Sequence, residues 1–373
     1  MTGSVVVRGG ASGDVVVLDG RIAEAGTGAP PSAPVLDADG LVVAPGFVDL
    51  QCNGAGGVDL TAEPERLWEV AALLPRWGVT SWLPTIVTSP EPVRQRALAA
   101  LGKGPPDATP VAVPLGLHFE GPFLSFERKG AHAARHLRPP DVAAVAGWSR
   151  DAGVALVTLA PELPGALDVV RALVDRGVVV SLGHSMATAA EATAGVDAGA
   201  RWATHLFNAM PPLHHRDPGL AGVALTDERL HVGLIADGVH VHPLMVRLAA
   251  QALGPRLTLV TDAVAALGMP PGPIRLGDME ALSDDEGVRL PDGTLAGSNL
   301  SMDDAVANLV AFADGAVDLP AALHAATAAP AELLGLTGSR GTLAPGAVGD
   351  LVLLDATGYV VATVIGGELA WRS

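Results

Sequence analysis

Two short apolar runs of this chain end in histidine: Val180-Ser181-Leu182-Gly183-His184 and Trp202-Ala203-Thr204-His205. Short apolar runs bounded by glycine or turn residues are typical of buried strands. The Ala-rich segment 186–198 lies between them and predicts a helix, so the whole stretch is expected to fold as strand, helix, strand. In a parallel α/β barrel, catalytic groups occupy the carboxyl ends of the strands. The two histidines therefore predict a site at that end, and two imidazoles together indicate a metal.

The same alternation of strands and helices extends over about 280 residues in the middle of the chain. Regular alternation predicts a parallel sheet, and this length favours an α/β fold of the closed (β/α)8, TIM-like barrel type. An open doubly wound sheet is the alternative, but the chain has no glycine-rich dinucleotide motif or P-loop to support it. Within the barrel we expect a helix over residues 141–151 and an inserted hairpin over residues 281–298 at the barrel mouth.

Both ends of the chain are rich in strand signals. Residues 5–7, 15–18 and 41–43 are Val/Leu runs separated by turn residues, and residues 350–355 and 359–364 repeat the pattern. The two ends are therefore expected to form one small β-sandwich domain beside the barrel. We place its N-terminal part at residues 1–44, the metal-dependent catalytic barrel at residues 45–342, and its C-terminal part at residues 343–373.

The composition argues against several classes of partner. A net charge of −17 over 373 residues disfavours nucleic acid or an anionic membrane. Apolar residues make up 49% of the chain, yet no apolar run approaches the roughly 18 residues of a membrane span. The N-terminus lacks a signal-peptide pattern and Cys52 is the only cysteine, so a cytoplasmic location is expected. An anionic small substrate would have to be bound by local basic residues.

Polar side chains follow five of the predicted strands: Glu120, His184, His205, Asp237 and Asp262. Two histidines and a glutamate with one open position suit a catalytic zinc-type site, and a strand-end aspartate suits a general base. Each residue alone has a structural alternative, because a histidine is commonly a surface or core residue and a carboxylate after a strand is often a helix cap. The joint pattern favours the metal site.

The polar strand ends belong to longer motifs, which are spread over almost the whole chain: Pro45-Gly46-Phe47-Val48-Asp49, Leu117-His118-Phe119-Glu120-Gly121-Pro122-Phe123, Lys129-Gly130-Ala131-His132, Gly183-His184-Ser185, Thr204-His205-Leu206-Phe207-Asn208-Ala209-Met210, Ala236-Asp237-Gly238-Val239-His240, Thr261-Asp262-Ala263 and Leu295-Ala296-Gly297-Ser298. In these motifs the chain resembles the N-acetylglucosamine-6-phosphate deacetylase family of the amidohydrolase superfamily. The closing segments, residues 341–346 and 349–352, are common to many amidohydrolases.

This resemblance implies roles for the motif residues. It implies that the metal is held by Glu120, His184 and His205. It also implies that Asp262 is the catalytic acid and base, and that His132 contacts the substrate carbonyl. The implied sugar contacts are Ala131, Asn208, Ala209, Leu295, Ala296, Gly297 and Ser298, and the implied phosphate contacts are Arg216 and His240.

The resemblance also implies a reaction. The substrate would be N-acetyl-D-glucosamine 6-phosphate, hydrolysed to D-glucosamine 6-phosphate and acetate in amino-sugar catabolism and cell-wall recycling. A metal-bound hydroxide would attack the acetamide carbonyl, with Asp262 as base and then as acid, while His132 and the metal stabilise the oxyanion. The family further implies a homodimer, in which phosphate contacts can come from the partner subunit.

Two positions depart from the commoner amidohydrolase pattern. Many amidohydrolases carry His-x-His at the end of the first barrel strand, where this chain has Gln51-Cys52-Asn53. Neutral amides are poor zinc ligands. We therefore expect one divalent ion per subunit, zinc foremost, with Fe²⁺, Mn²⁺ or Co²⁺ as alternatives. His118, on the same strand face as Glu120, is expected to lie behind the ligands.

Two other functions stay open at this point. An amidohydrolase acting on a cyclic amide or another N-acyl substrate would usually need His-x-His and a modified lysine, and neither Lys103 nor Lys129 ends a predicted strand. A non-catalytic scaffold with the barrel fold would account for the missing histidine pair. It would not account for the retained ligand-type residues, and the content of bound metal would discriminate between the two cases.

Overall fold

The computed structural model describes residues 3–10, 13–106, 109–277, 279–285 and 287–373. Its strands, in chain order, are β1 (Val5–Arg8), β2 (Val15–Leu18), β3 (Arg21–Ile22), β4 (Val35–Asp37), β5 (Val42–Pro45), β6 (Phe47–Cys52), β7 (Gly54–Ala55), β8 (Val58–Asp59), β9 (Val79–Val87), β10 (Val113–Pro114), β11 (Leu117–Glu120), β12 (Val154–Leu159), β13 (Val179–Leu182), β14 (Trp202–Ala203), β15 (His231–Leu234), β16 (Leu257–Leu259), β17 (Gly272–Leu276), β18 (Met279–Asp284), β19 (Gly287–Arg289), β20 (Leu351–Leu354), β21 (Val360–Ile365) and β22 (Glu368–Arg372). Its helices are α1 (Leu67–Leu73), α2 (Glu91–Lys103), α3 (Ala166–Val174), α4 (Ala189–Asp197), α5 (Gly219–Thr226), α6 (Pro243–Leu253), α7 (Met302–Ala313), α8 (Leu319–Ala326) and α9 (Ala328–Leu333).

Eight parallel strands of the described chain form the barrel, in the order β6, β9, β11, β12, β13, β14, β15 and β16. The ring closes between its last and first strands just beyond β16. There Cys52 forms a parallel bridge with Ala263, and the Asp262 N–H donates to the Gln51 carbonyl at 2.9 Å. The (β/α)8 prediction is confirmed, and the carboxyl ends of all eight strands meet at one face.

The barrel strands and their covering helices follow the sequence pattern. β12 is buried along its whole length, as expected of a strand covered on both faces. α4 begins at Thr188 with a capping box, in which Thr188 and Glu191 satisfy each other's backbone N–H groups. The helices are short, and none in the described ranges is both long and apolar enough to cross a membrane.

The two ends of the chain form two sheets that pack on each other. One sheet has the order β3-β2-β1-β4 and the other has the order β22-β21-β20-β5. Their common core contains buried Val5, Val7, Leu351 and Leu353, so the expected sandwich of both termini is confirmed. We propose that residues 1–44 and 343–373 form one unit and residues 45–342 the other. The antiparallel pairing of β5 with β20 supports this division.

Two local expectations are corrected. The helix predicted over residues 141–151 is wrong, because only a 3-10 turn, Ala143–Val145, forms there. Val145 and Trp148 are buried while Val142 is 40% exposed, so the segment packs through two anchors and not through a helical face. The insertion at the mouth is larger than a hairpin: β17, β18 and β19 form an antiparallel sheet that begins at Gly272.

Candidate active site

Three of the predicted site residues leave their strands with a left-handed backbone. The φ angles are 49° for His184, 30° for His205 and 49° for Asp262. For residues other than glycine this conformation costs on the order of 1–3 kcal/mol, and it concentrates at functional sites. The turn carries each side chain out of the strand direction and over the barrel mouth.

Glu120, the last residue of β11, meets the two histidines there. Its Oε1 lies 3.2 Å from Nε2 of His184 and 3.1 Å from Nε2 of His205. The two Nε2 atoms are 3.0 Å apart, and all three side chains are buried. The three residues predicted as ligands therefore converge, and they are the group of the described chain able to hold a metal ion.

The hydrogen bonds around the triad fit a cation. Nδ1 of His184 lies 2.8 Å from the Arg128 carbonyl, which can only accept, so Nδ1 carries the proton. A neutral His184 then directs its Nε2 lone pair at a carboxylate oxygen of Glu120. Two acceptors at 3.2 Å repel unless a proton or a metal ion joins them. One carboxylate and two imidazoles, one of them oriented by a backbone carbonyl, form the donor set of a zinc-type site.

Asp262 is fixed beside the triad by two amides. Gln51 Nε2 donates to Asp262 Oδ1 at 3.1 Å, and Asn53 Nδ2 donates to the same oxygen at 2.7 Å. Among the described residues Oδ2 accepts no hydrogen bond. Burial, together with the nearby charge of Glu120, raises the pKa of Asp262 to about 6. One oxygen is thus anchored and the other is available to exchange a proton near neutral pH.

Gln51 and Asn53, the amides that replace His-x-His, act here as donors. Gln51 Nε2 also donates to Glu120 Oε1 at 3.0 Å. Nitrogen atoms that carry hydrogens toward carboxylates have no lone pair for a metal. This geometry supports the prediction for Gln51, whose oxygen also accepts from the Thr204 hydroxyl, whereas the Asn53 oxygen is buried and has no partner among the described residues.

His132 reaches the site from the long loop between β11 and β12. The Thr88 N–H donates to His132 Nδ1 at 3.3 Å, so the proton of the neutral ring is on Nε2. That Nε2 lies 3.5 Å from Glu120 Oε2. Burial lowers the pKa of His132 to about 4, so the ring is neutral at pH 7 and offers an N–H at the cavity wall.

A cavity of about 430 Å³ opens in front of the triad. Of the predicted site residues, the structure places these on its wall: Glu120, Ala131, His132, His184, His205, Asn208, Ala209, His240, Asp262, Leu295, Ala296 and Gly297. The loop that carries the last three is tied to Asp262, whose carbonyl accepts from the Ser298 N–H at 2.8 Å. Gly297 permits this approach, since a Cβ there would lie 2.9 Å from the Asp262 carbonyl oxygen.

Two predicted substrate contacts lie off the cavity wall of this chain. Ser298 turns its hydroxyl inward and donates to the Thr261 carbonyl at 2.5 Å. Arg216 is exposed, and it forms no ion pair with Asp217 or with any other described residue. His240 does face the cavity, and its Nδ1 lies 2.6 Å from Asp237 Oδ2, which fixes the ring.

Sequence reasoning missed some of the contacts that shape the site. Thr88, which orients His132, lies just beyond β9, a strand that the sequence analysis did not mark as ending in a polar residue. Asp237 was recognised as a polar strand end, but its bond to His240 was not foreseen. His118 is fully buried below Glu120, with Nε2 2.8 Å from Thr158 Oγ1, and it lines no part of the cavity.

Known proteins resemble this chain in both sequence and fold. The sequence model of the amidohydrolase family matches residues 42–370. N-acetylglucosamine-6-phosphate deacetylase of Bos taurus is 44% identical over 355 residues, which cover 90% of this chain and 85% of that protein. N-acetylgalactosamine-6-phosphate deacetylase of Escherichia coli O157:H7 is 39% identical, with 90% and 89% covered.

The solved structures agree. A mutant N-acetyl-D-glucosamine-6-phosphate deacetylase of Mycobacterium smegmatis, in complex with N-acetyl-D-glucosamine-6-phosphate, superposes with a TM-score of 0.85. It is 35% identical, and the match covers 99% of each chain. The chain therefore belongs to the amidohydrolase family, and its resemblance to the N-acetylglucosamine-6-phosphate deacetylases of that family is confirmed in sequence and in fold.

Proposed function

We propose that this protein is a metal-dependent deacetylase of N-acetyl-D-glucosamine 6-phosphate, releasing D-glucosamine 6-phosphate and acetate. The observation that carries the proposal is the meeting of a metal-ligand triad, an anchored carboxylate and a neutral imidazole on one cavity wall. Hydrolysis of an unactivated amide needs an activated water, a stabilised oxyanion and a proton for the leaving nitrogen. The Bos taurus relative and the Mycobacterium smegmatis structure named above carry this activity in their names.

Glu120, His184 and His205 would hold the divalent ion. When bound, such an ion lowers the pKa of a water ligand and polarises a carbonyl oxygen. Two imidazoles and one carboxylate favour zinc, and Fe²⁺, Mn²⁺ and Co²⁺ accept the same donors. We propose one ion per chain.

Asp262 and His132 divide the proton chemistry. Asp262 Oδ2 takes a proton from the attacking water and returns it to the amine nitrogen, so one carboxylate is base and then acid. Its anchored Oδ1 keeps the group in place during both transfers. His132 Nε2–H donates to the carbonyl oxygen of the acetamide as negative charge develops there, a contact typically worth about 3 kcal/mol.

The phosphate must be recognised at short range, because a chain of net charge −17 repels an anion at long range. His240 lies on the cavity wall, which supports the proposal that it makes this contact. Arg216 has no ion-pair partner among the described residues and lies off the wall, which supports the proposal that it serves the site of a partner subunit in a homodimer. A guanidinium binds phosphate oxygens bidentately. We also propose a cytoplasmic location, where a sugar phosphate would be formed.

Release of acetate from purified protein tests the function. N-acetylglucosamine 6-phosphate should be hydrolysed, and the metal-free protein should be inactive until zinc is restored. N-acetylgalactosamine 6-phosphate is the second candidate substrate, favoured by the Escherichia coli relative, and the ratio of the two kcat/KM values decides between them. No acetate from either sugar phosphate would reject the proposal and leave the cyclic-amide hydrolase or the scaffold.

A further inference from the structure

We propose that Thr204 is a positioning residue: its hydroxyl orients the Gln51 amide so that a single NH2 group serves both Glu120 and Asp262. The inference deepens the proposed function, since it rests on the roles given to those two carboxylates. Thr204 itself touches no substrate, because it is fully buried and lines no part of the cavity.

The Gln51 amide uses both of its N–H groups on carboxylates. Nε2 lies 3.0 Å from Glu120 Oε1 and 3.1 Å from Asp262 Oδ1. A side-chain amide has two donors on nitrogen and acceptors on oxygen only. The two bonds therefore require that nitrogen, and not oxygen, faces the carboxylates.

The opposite orientation would be costly. If the amide were turned by 180°, Oε1 would face two carboxylate oxygens in a buried site, where like partial charges repel strongly. In the observed orientation, however, Oε1 needs a donor of its own, because an unsatisfied buried acceptor destabilises the folded protein. The Thr204 hydroxyl supplies it by donating to Gln51 Oε1, and no other described residue does so.

The rotamer of Thr204 is permitted by Gly183, the residue directly after β13. A Cβ on Gly183 would lie 2.4 Å from Thr204 Cγ2, so the methyl group occupies the space that glycine leaves. The backbone holds this register, since the Thr204 N–H donates to the Leu182 carbonyl at 3.1 Å. With the methyl group placed there, the hydroxyl points across the barrel to β6.

The consequence concerns two carboxylates that would otherwise repel each other. The NH2 group of Gln51 donates a hydrogen bond to each carboxylate, and the amide adds no charge to the site. It holds Glu120 Oε1 beside the histidines and leaves Asp262 Oδ2 open for proton transfer. Removing one distant hydroxyl should therefore weaken both metal binding and turnover.

The test compares Thr204→Val, which removes the hydroxyl at constant shape, with Thr204→Ser, which keeps it. Thr363→Val is the matched control, because Thr363 is equally buried and its hydroxyl donates to the Pro75 carbonyl, away from the site.

Two properties are measured for each variant: the Zn²⁺ dissociation constant by competition with a chelator, and the kinetic constants kcat and KM for acetate release. For Thr204→Val we expect a loss of about 10- to 100-fold in Zn²⁺ affinity and a loss of the same order in kcat, the usual effect of losing an outer-shell partner. KM should change by less than about threefold, since Thr204 touches no substrate. Thr204→Ser and Thr363→Val should both keep the Zn²⁺ affinity, kcat and KM of the wild type.

A double-mutant cycle asks whether the hydroxyl acts through Gln51. In a Gln51→Leu background, adding Thr204→Val should cost nothing further, because the amide it orients is gone. The proposal would be overturned if the losses in Zn²⁺ affinity of the two single variants multiply in the double variant. It would also be overturned if Thr204→Val equals the wild type, or if Thr204→Ser loses as much as Thr204→Val. If Thr204→Val does not fold, Thr204→Ala against Thr204→Ser makes the same comparison. The Zn²⁺ measurement needs no substrate, so it decides on Thr204 even if the wild type releases no acetate.

Discussion

Replacing Asp262 by asparagine separates proton transfer from the rest of the site. The asparagine carbonyl oxygen can take the place of Oδ1 and keep accepting from Gln51 and Asn53, at 3.1 Å and 2.7 Å in the native site. Asparagine also tolerates the left-handed φ of 49° better than most residues. The change therefore preserves the anchor and the backbone, and removes only the free oxygen that accepts and returns the proton. General acid–base groups typically contribute about 10² to 10⁴ in rate, so Asp262→Asn should lose at least 100-fold in kcat.

The assay is steady-state acetate release, with the metal content and the melting temperature measured on the same sample. Metal content and fold should stay as in the wild type. Asp303→Asn is the control, because Asp303 is a buried carboxylate bonded to the Ser301 hydroxyl and lines no part of the cavity. Activity of Asp262→Asn within tenfold of the wild type would remove Asp262 from the proton-transfer step. Loss of the metal together with activity would show instead that Asp262 is a ligand.

Three further results are expected. Elemental analysis of protein purified without added metal should give one divalent ion per chain, and two at full occupancy would show that Gln51 and Asn53 bind a second. Arg216→Ala should lower kcat/KM for the 6-phosphate sugar while leaving N-acetylglucosamine unaffected, with His240→Ala acting in the same direction, and an unchanged preference for the phosphate would refute the assignment. Burial raises the pKa of Asp49 from 3.8 to about 7, so its protonated form is favoured in the folded state and stability is lost as pH rises through 7. Between pH 5 and pH 8 the free energy of unfolding should fall by about 3 kcal/mol from this group, and urea unfolding of Asp49→Asn should lack that fall.

The barrel and the metal triad were predictable because each rests on a local pattern. His184 and His205 directly follow short apolar runs, and parallel strands bring such positions to one face whatever the loops do. Glu120 and Asp262 end their strands in the same way. The position of each residue relative to its own strand was therefore enough to predict that the four would meet.

The remaining features depend on pairs that no local pattern connects. Thr204 and Gln51 are 153 positions apart, and their contact depends on barrel closure and on Gly183, which follows a third strand. The helix expected over residues 141–151 failed because Trp148 packs against Phe119, with ring centroids 4.9 Å apart, and tertiary packing overrides a weak helix preference. Arg216 was expected to contact the phosphate, and its place outside this chain's own cavity is a property of the folded surface that no local pattern gives.

The pairing of β5 with β20 has a consequence for how the protein is made. The two partners are separated by about 300 residues, which a ribosome needs on the order of 15 to 60 s to add. During that interval the valines of β1 and β5 are exposed, because the sheet that covers them has not yet been synthesised. The barrel strands that follow β5 have been synthesised by then and can pair with one another. A nascent chain arrested before β20 would present an uncovered strand edge beside a nearly complete barrel, which is the kind of surface that chaperones bind and that aggregates. Covering this strand edge thus requires the last 23 residues of the sequence, although the candidate active site lies entirely before them.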